Sequence, residues 1–340
     1  MKVSVLVAVY NAEQTIASCL NSLLAQTHQD LQILCVDDCS QDGSWTILQD
    51  FARCDSRILI FHLKENRGQA HARNVALAHA DGDLIAFLDS DDTMADNAIE
   101  QVVEVFQSHP QTGCVLLKVV NCLPDGKHED YPMEPFVSMS GYDAFLKSLT
   151  WDIHGWYVAR SQLYKDYPFD ETCKSYSDDN TTRIHYFHST EVRTCAGIYY
   201  YRLNPSSVTH APSLRRFDYL RANESMKKQL IDLGVGDEVL NIYETVRWRV
   251  VVDSYMFYFL NRNRMQSSDR SAAIQEIRRV WGNVELPRVD RKLRHSFGFI
   301  PFRPSFIISH PSYLCWLFFR LQEELYFSLR QCLKRLSSIL

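Results

Sequence analysis

The chain has 340 residues, of which 46% are hydrophobic and 23% charged, an ordinary globular composition that excludes disordered, collagen-like and coiled-coil classes. Its formal charge of −5 conceals an asymmetry: residues 1–240 carry 20 Lys and Arg against 33 Asp and Glu, whereas residues 241–340 carry 16 against 8. The two parts are expected to meet different partners. Nucleic acid is not expected, because the overall charge is negative and no nucleic-acid-binding module is recognisable.

The ten cysteines contain no Cys-x-x-Cys pair, and several lie among apolar residues, where cysteine acts as a small hydrophobe. Lys2 leads into a short apolar run that does not read as a signal peptide. No run of 18 apolar residues predicts a transmembrane helix. We therefore expect a cytoplasmic protein.

The first 120 residues alternate between strand-like and helix-like patterns. Short apolar runs predict buried parallel strands at 3–9, 31–36, 58–63, 84–88 and 114–120. Helical periodicity separates these runs, and Ser44 is expected to cap the second helix. The alternation predicts a Rossmann-like α/β domain, with a mainly parallel sheet covered by helices on both faces. In such a sheet the ligand crevice lies beyond the carboxyl ends of the strands.

The pattern loosens after about residue 120. Residues 121–210 mix short helical and strand-like pieces, including an aromatic strand at 197–202, and the chain from about residue 214 is predicted to be mostly helical. We expect one α/β domain over 1–210 and a helical C-terminal region over 211–340.

Acidic residues follow two of the predicted strands. Asp37 and Asp38 follow the second strand, and Asp89, Asp91 and Asp92 follow the fourth. Turn formation and helix capping explain either cluster alone. The two together, at one edge of one sheet, favour a divalent cation, because Asp-x-Asp supplies hard oxygen ligands and leaves positions for phosphate oxygens.

The usual glycine-rich phosphate loops are absent from the sequence. The turn after the first strand, Tyr10-Asn11-Ala12, has no glycine, and neither a dinucleotide fingerprint nor a P-loop occurs. Any nucleotide must therefore be held by metal, by Asp side chains and by the basic residues Arg67 and Arg73.

Five segments stand out together in the first 92 residues: Val-Ser-Val-Leu-Val-Ala-Val-Tyr-Asn at 3–11, Val-Asp-Asp-Cys-Ser-Gln-Asp-Gly-Ser at 36–44, Asn-Arg-Gly at 66–68, Ala-Arg-Asn at 72–74 and Leu-Asp-Ser-Asp-Asp at 88–92. In order and spacing they resemble family 2 glycosyltransferases. The resemblance implies a GT-A fold, a nucleotide-sugar donor, Mn²⁺ or Mg²⁺, and inversion at the anomeric carbon. Residues 1–120 would then form the nucleotide-sugar-binding half and 121–210 the acceptor half.

The resemblance also implies roles for individual residues on the donor side. Tyr10 and Asp38 would contact the nucleobase, with Asp37 beside them, and Arg73 would lie near the donor phosphates. Asp89 and Asp91 would meet ribose and metal, with Asp92 in support. His210 lies in a loop that reaches the diphosphate or the metal in some relatives.

An inverting transfer needs a general base on the acceptor side. Phe169-Asp170-Glu171 followed by Ser177-Asp178-Asp179 resembles the family's Phe-Asp-Glu…Glu-Asp stretch, which implies Asp179 as the base and Asp178 in support. The alternative is that Asp178 and Asp179 cap a following helix.

Two aromatic regions leave alternatives open. The first is an aromatic patch that is expected either to stack on a sugar or to pack in the core; it consists of Trp151, His154, Trp156 and Tyr157. His185 and His188 are interpreted as structural, because no third metal ligand has a fitting spacing. Residues 312–340 form an apolar stripe with basic flanks, which binds a membrane surface or packs on its own domain or a second subunit.

The expected function is transfer of a sugar, from a UDP-sugar in view of Asp38, to a hydroxyl of a glycan or lipid-linked glycan in bacterial surface polysaccharide synthesis. The expected location is the cytoplasm or the inner face of the plasma membrane as a peripheral protein, with a homo-oligomer left open. The alternatives are a sugar nucleotidyltransferase, which would show a glycine-rich basic loop after the first strand, and a non-catalytic binding module.

Overall fold

The computed structural model describes residues 1–203, 213–290, 293 and 310–337, with the backbone alone over 334–337. The chain divides into two compact units, Met1–Pro205 and Ser206–Leu340. The described part of the first unit is a sheet with helices, and that of the second is helical.

The first unit contains ten strands and seven α-helices within its described residues. The strands are β1 (Val3–Val9), β2 (Leu31–Asp37), β3 (Ile58–His62), β4 (Leu84–Phe87), β5 (Thr93–Met94), β6 (Thr112–Cys122), β7 (His128–Asp130), β8 (Ser138–Ser140), β9 (Tyr157–Arg160) and β10 (Glu191–Arg202). The helices are α1 (Ile16–Leu24), α2 (Ser44–Cys54), α3 (Gln69–Leu77), α4 (Ala98–Ser108), α5 (Gly141–Leu149), α6 (Ser161–Asp166) and α7 (Asp178–Phe187).

The sheet has the order β3-β2-β1-β4-β9-β6-β10-β5. Strands β3, β2, β1 and β4 are parallel, in register from Val3 opposite Leu31 and Leu84. The predicted parallel succession then breaks, because β9 lies antiparallel between β4 and β6. The sheet is therefore mixed: the α/β class is confirmed, and the short strands β5, β7 and β8 also pair antiparallel.

The core of this unit explains the apolar runs of the sequence. In β1, Val3, Val5, Val7 and Val9 are fully buried on one face and Leu6 on the other, as expected for a central strand covered on both faces. Helix α1 buries Ile16, Cys19, Leu20 and Leu23, which repeat every three or four residues.

The expected capping role of Ser44 is wrong. The N-cap of α2 is Gly43, and Ser44 is the first helical residue. The Ser44 hydroxyl accepts a hydrogen bond from the Ala12 backbone N–H at 2.8 Å and donates one to Asp42. It therefore ties the start of α2 to the loop after β1.

The second unit is built on the helices α8 (Asp218–Asp232), α9 (Asp237–Asn261), α10 (Ser267–Gly282) and α11 (Tyr313–Ser337). Its core is aromatic, with Trp248, Trp281, Trp316 and Phe319 among its buried members. Over the described ranges, no helix is long and apolar enough to cross a membrane.

Candidate active site

The carboxyl ends of β2 and β4 lie at the same edge of the sheet, because both strands run parallel to β1 between them. The loops after β1 and β2 are joined there. The Asn11 backbone N–H donates to Ser40, and the Asn11 side chain accepts from the Gln41 N–H at 2.8 Å. Asn11 and Cys39 adopt φ values of 50° and 62°, a left-handed conformation that asparagine tolerates and that costs energy for cysteine.

Asp38 binds the Asn-Arg-Gly segment. Its two carboxylate oxygens accept hydrogen bonds from the backbone N–H groups of Arg67 and Gly68, each at 2.8 Å. Burial raises the pKa of Asp38, and these two hydrogen bonds oppose the rise. Asp38 therefore positions the loop of residues 66–68, and its expected contact with the nucleobase stays a prediction.

Asp37 points into the protein. The side chain is buried, and its Oδ2 accepts from the Ser40 N–H and contacts His62 Nδ1 at 2.8 Å. Its Oδ1 has no hydrogen-bond partner within the described residues. Tyr10 is 39% exposed and is the more accessible of the residues expected at the nucleobase.

Arg73 is a buried cation held between two carboxylates. Its Nη2 donates to Asp89 Oδ1 at 2.6 Å and its Nη1 to Asp178 Oδ2 at 2.9 Å. The guanidinium also lies 4.3 Å from the centre of the Phe87 ring. With 1% of its surface exposed, Arg73 holds these two carboxylates together, and its place near the donor phosphates stays a prediction.

Asp92 anchors the Asp-x-Asp turn to β10. It accepts hydrogen bonds from the Tyr199 hydroxyl at 2.8 Å and from the Arg202 backbone N–H at 2.7 Å. Burial, with Asp89 and Asp91 nearby, raises the pKa of Asp92 to about 8. Its oxygens are thus directed to protein donors.

Asp91 is the open carboxylate of the cluster. It is half-buried, and burial and the charge of Asp89 raise its pKa to about 6. Apart from its own backbone N–H, no group in the described part of the chain donates a hydrogen bond to its side chain. Across the described ranges, no three His, Cys, Asp or Glu side chains form a ready-made metal site, so metal binding by Asp89 and Asp91 stays a prediction.

Asp178 and Asp179 begin helix α7. Ser177 occupies the N-cap position, so the two carboxylates lie in the first turn, where the helix dipole favours negative charge. Burial and the neighbouring Asp178 raise the pKa of Asp179 to about 7, against the opposing effect of Arg183 and Arg73. None of the described residues donates a hydrogen bond to the Asp179 carboxylate, which is therefore able to accept a proton.

The predicted aromatic patch separates into two environments. Tyr157 is buried against Tyr164, and its hydroxyl shares a hydrogen bond of 2.7 Å with His185 Nδ1. Trp151 lies against the guanidinium of Arg183. Core packing thus accounts for Tyr157, and the structural interpretation of His185 fits this contact.

Trp156 belongs to a second group with Tyr131, His154 and Tyr201, with ring centres 5.2 to 5.4 Å from that of Trp156. Burial, with Asp179 nearby, raises the pKa of Tyr131, and burial, with Asp92 and Asp89 nearby, raises that of Tyr201 to about 12. Tyr131 therefore lies near Asp179, and Tyr201 near the Asp-x-Asp turn. Tyr131 was not singled out in the sequence, where it stands in a proline-rich loop.

The Ala-Arg-Asn motif also makes structural contacts that the sequence did not reveal. Asn74 exchanges hydrogen bonds with the backbone of Phe169 and donates to Glu171, which also contacts His71 Nδ1 at 2.8 Å. Residues 66–74 are thereby fastened to residues 169–178. His210 lies outside the described residues.

Comparison with known proteins identifies the family. The family model for glycosyl transferase family 2 matches residues 4–167. The glycosyltransferase EpsJ of Bacillus subtilis, described as uncharacterized, is 30% identical over 258 residues, which cover 71% of this chain and 74% of EpsJ. The chain belongs to glycosyltransferase family 2. The resemblance noted in the sequence is thus confirmed.

Other comparisons define the fold and the extent of similarity. The S. aureus TarS fragment 1–349, crystallised with UDP-GlcNAc, matches 87% of this chain and 86% of its own with a TM-score of 0.64 at 21% identity, which confirms the GT-A fold. TuaG of Bacillus subtilis, provisionally assigned to teichuronic acid biosynthesis, is 44% identical over 102 residues. That segment is 30% of this chain and 40% of TuaG, so this similarity spans less than half of either protein.

Proposed function

We propose that this glycosyltransferase moves a sugar from a UDP-sugar to a hydroxyl group of a cell-surface glycan or its lipid-linked precursor, with inversion at the anomeric carbon. The observation that carries the proposal is the pair of hydrogen bonds from Arg73 to Asp89 and Asp178. They bring the Asp-x-Asp turn together with the first turn of α7, which bears Asp179.

The donor diphosphate needs compensation of its charge as it leaves. Asp91 and Asp89 would hold Mn²⁺ or Mg²⁺, which supplies that compensation. The residues fit a cation, because Asp91 presents an open carboxylate and because burial and mutual repulsion raise the pKa of Asp91 and Asp92, a cost that a bound cation relieves. Asp92 would support the turn, and His210 remains a candidate for the diphosphate side.

Asp179 is proposed as the general base. A pKa of about 7 keeps a useful fraction of the carboxylate ionised at neutral pH and leaves it basic enough to take a proton from an attacking hydroxyl. Asp178 is held by Arg73 and positions the helix start. The faces of Trp156, Tyr131 and Tyr201 would pack against sugar rings.

The choice of donor and acceptor draws on relatives. Structures of TarS contain UDP or UDP-GlcNAc, and Asp38, which the family resemblance places at the nucleobase, holds the loop of residues 66–68. TuaG carries its provisional teichuronic acid assignment, and a teichoic acid poly(glycerol phosphate) polymerase of Staphylococcus epidermidis is 38% identical over 108 residues. These support a UDP-sugar and a bacterial surface polymer as acceptor.

Calorimetric titration of UDP, with and without Mn²⁺, tests the donor site. Wild type is expected to bind UDP in a metal-dependent manner, and Asp91→Asn to lose at least about tenfold in affinity, as one cation-binding carboxylate is neutralised. Asp81→Asn is the matched control, because Asp81 is an exposed carboxylate paired with Lys2 in the loop before β4. Tighter binding of GDP or TDP would change the donor, and absence of all nucleotide binding would contradict the proposal.

A further inference from the structure

Helix α11 is apolar on two opposite sides. One side packs into the core of the second unit through Cys315, Trp316, Phe319 and Phe327, all buried. The other side presents leucines at intervals of three or four residues that are 40% to 78% exposed. This leucine stripe consists of Leu314, Leu317, Leu321, Leu325, Leu329 and Leu333.

The leucine stripe is too large to be incidental. From Leu314 to Leu333 it runs roughly 28 Å, at about 1.5 Å per helical residue. Soluble proteins rarely expose a continuous apolar surface beyond a few hundred Å², and larger ones mark interaction sites. Docking of α11 on its own unit, one of the alternatives raised by the sequence, therefore accounts for only one of its two apolar sides.

The acidic residues of α11 do not face the same way as the leucine stripe. Glu323 is buried on the docked side with 1% exposure. The Glu324 carboxylate accepts hydrogen bonds from Tyr255 and Arg320 and lies 3.7 Å from Arg262. Its negative charge is thus compensated within the unit, and the two glutamates do not oppose contact of the stripe with an anionic surface.

The charge of residues 241–340 indicates what kind of surface binds the leucine stripe. Residues 241–340 carry 16 basic and 8 acidic side chains, and Arg330 on α11 is exposed. Two copies of so cationic a region would repel each other across a shared stripe, whereas an anionic lipid surface would attract it. Arg330 lies three residues before Leu333, so it places an exposed cation beside the C-terminal end of the stripe. Leucines together with exposed basic residues are the combination that binds in the plane of a bilayer interface.

We propose that the leucine stripe of α11 docks the protein on an anionic membrane surface, with the leucines inserted among the lipid headgroups and Arg330 near the phosphates. The helix remains packed on its own unit through Trp316 and Phe319 while the stripe is in the membrane. This inference stands independently of the sugar donor and acceptor proposed above.

Vesicle sedimentation of the full chain tests the proposal. The wild type is compared on vesicles of phosphatidylglycerol with phosphatidylcholine and on phosphatidylcholine alone. The test variant is Leu321→Gln with Leu325→Gln, which removes apolar surface without changing charge. The matched control is Ile231→Gln, because Ile231 on α8 is 56% exposed and Leu321 is 58% exposed. Circular dichroism checks that every variant folds.

The wild type and Ile231→Gln are expected to bind the anionic vesicles more strongly than the neutral ones, and less so as salt is raised. The double variant is expected to bind roughly tenfold more weakly or worse, since binding scales with buried apolar area. Equal binding by a folded double variant, or no binding by wild type, overturns the proposal. So does a wild-type dimer in sedimentation velocity that the double variant converts to monomer without any vesicle binding, because a second copy would then cover the stripe.

Discussion

Arg73 is the residue on which the geometry of the site depends most. A buried cation is tolerated only when it is paired, and here Asp89 and Asp178 share it. Without the guanidinium, these carboxylates would face each other in a poorly hydrated place. Arg73 also lowers the pKa of Asp179 against the effect of burial.

Arg73→Gln is therefore expected to act on both stability and pH dependence. Loss of one partner from a buried ion pair costs about 3–5 kcal/mol, to be measured by urea unfolding. The pKa of Asp179 should rise, so the acid limb of the rate profile should move to higher pH. Arg73→Lys, which keeps the charge, should restore part of the profile, and an unchanged profile in a folded Arg73→Gln would contradict this role.

Asp179→Asn should lower kcat by about 10²–10⁴, the usual contribution of a general base, and leave UDP affinity near that of wild type. Only the ionised carboxylate accepts a proton, so the wild-type rate should increase as pH rises through the pKa of about 7. Asp166→Asn, an exposed carboxylate at the end of α6, serves as control. A transfer rate that does not change across this pH range would argue against Asp179.

At the scale of elements, the loop before α3 is packed too closely for any side chain at Gly68. Its φ is +97°, and a Cβ there would lie 2.7 Å from the Lys174 Cα. Lys174 in turn donates to the Asn66 carbonyl oxygen at 2.7 Å. The loop that Asp38 holds is thus pressed against the segment before α7.

Gly68→Ala is expected to destabilise the protein by more than the ~1 kcal/mol that a left-handed φ costs alanine, and to weaken UDP binding by displacing the loop. Gly126→Ala is the matched control, because Gly126 has a φ of +81° with nothing within 4 Å of the added Cβ. Equal losses of unfolding free energy in the two variants would show that backbone strain alone is responsible.

Helix α11 carries a buried acid whose ionisation opposes folding. Burial raises the pKa of Glu323 to about 7, so its charged form is disfavoured in the folded state. Its cost grows as pH rises from the ordinary carboxyl range toward 7 and stays constant above. Glu323→Gln should therefore stabilise the protein at pH 8 by up to about 3 kcal/mol, at about 1.4 kcal/mol per pKa unit, and much less at pH 4.

Thermal unfolding at the two pH values measures this difference. Glu324→Gln serves as the comparison, because Glu324 accepts hydrogen bonds from Tyr255 and Arg320, and its loss should destabilise the protein. Similar effects of both substitutions would contradict the assignment of the penalty to Glu323.

At the scale of the whole molecule, the described contacts of the site carboxylates all lie within Met1–Pro205. These carboxylates are Asp37, Asp38, Asp89, Asp91, Asp92, Asp178 and Asp179. A fragment of residues 1–205 is therefore expected to fold and to bind UDP with an affinity near that of the full chain. Fluorescence titration of both proteins provides the measurement. If the fragment is folded and binds much more weakly, a residue beyond 205 contributes, and His210→Ala in the full chain would identify or exclude His210.

The sequence predicted the parallel strands well, because strands covered on both faces appear as unbroken apolar runs; β1 begins and ends at the predicted residues. It did not predict β9, since the pairing of Tyr157–Arg160 with β4 and β6 joins residues far apart in the chain. The acidic residues were visible as motifs. The burial of Arg73 was not, because an arginine that binds phosphate and one that binds carboxylates look alike in sequence.

The contacts between residues 66–74 and 169–178 have a consequence for evolution and for protein engineering. Arg73 with Asp178, Asn74 with Phe169, and His71 with Glu171 are matched pairs whose members lie 95 to 105 residues apart in the chain. A chimera that takes residues 66–74 from one enzyme and residues 169–178 from another would separate every pair at once. New substrate specificities should therefore arise by changes in the loops beside these contacts, or by inheritance of both segments together.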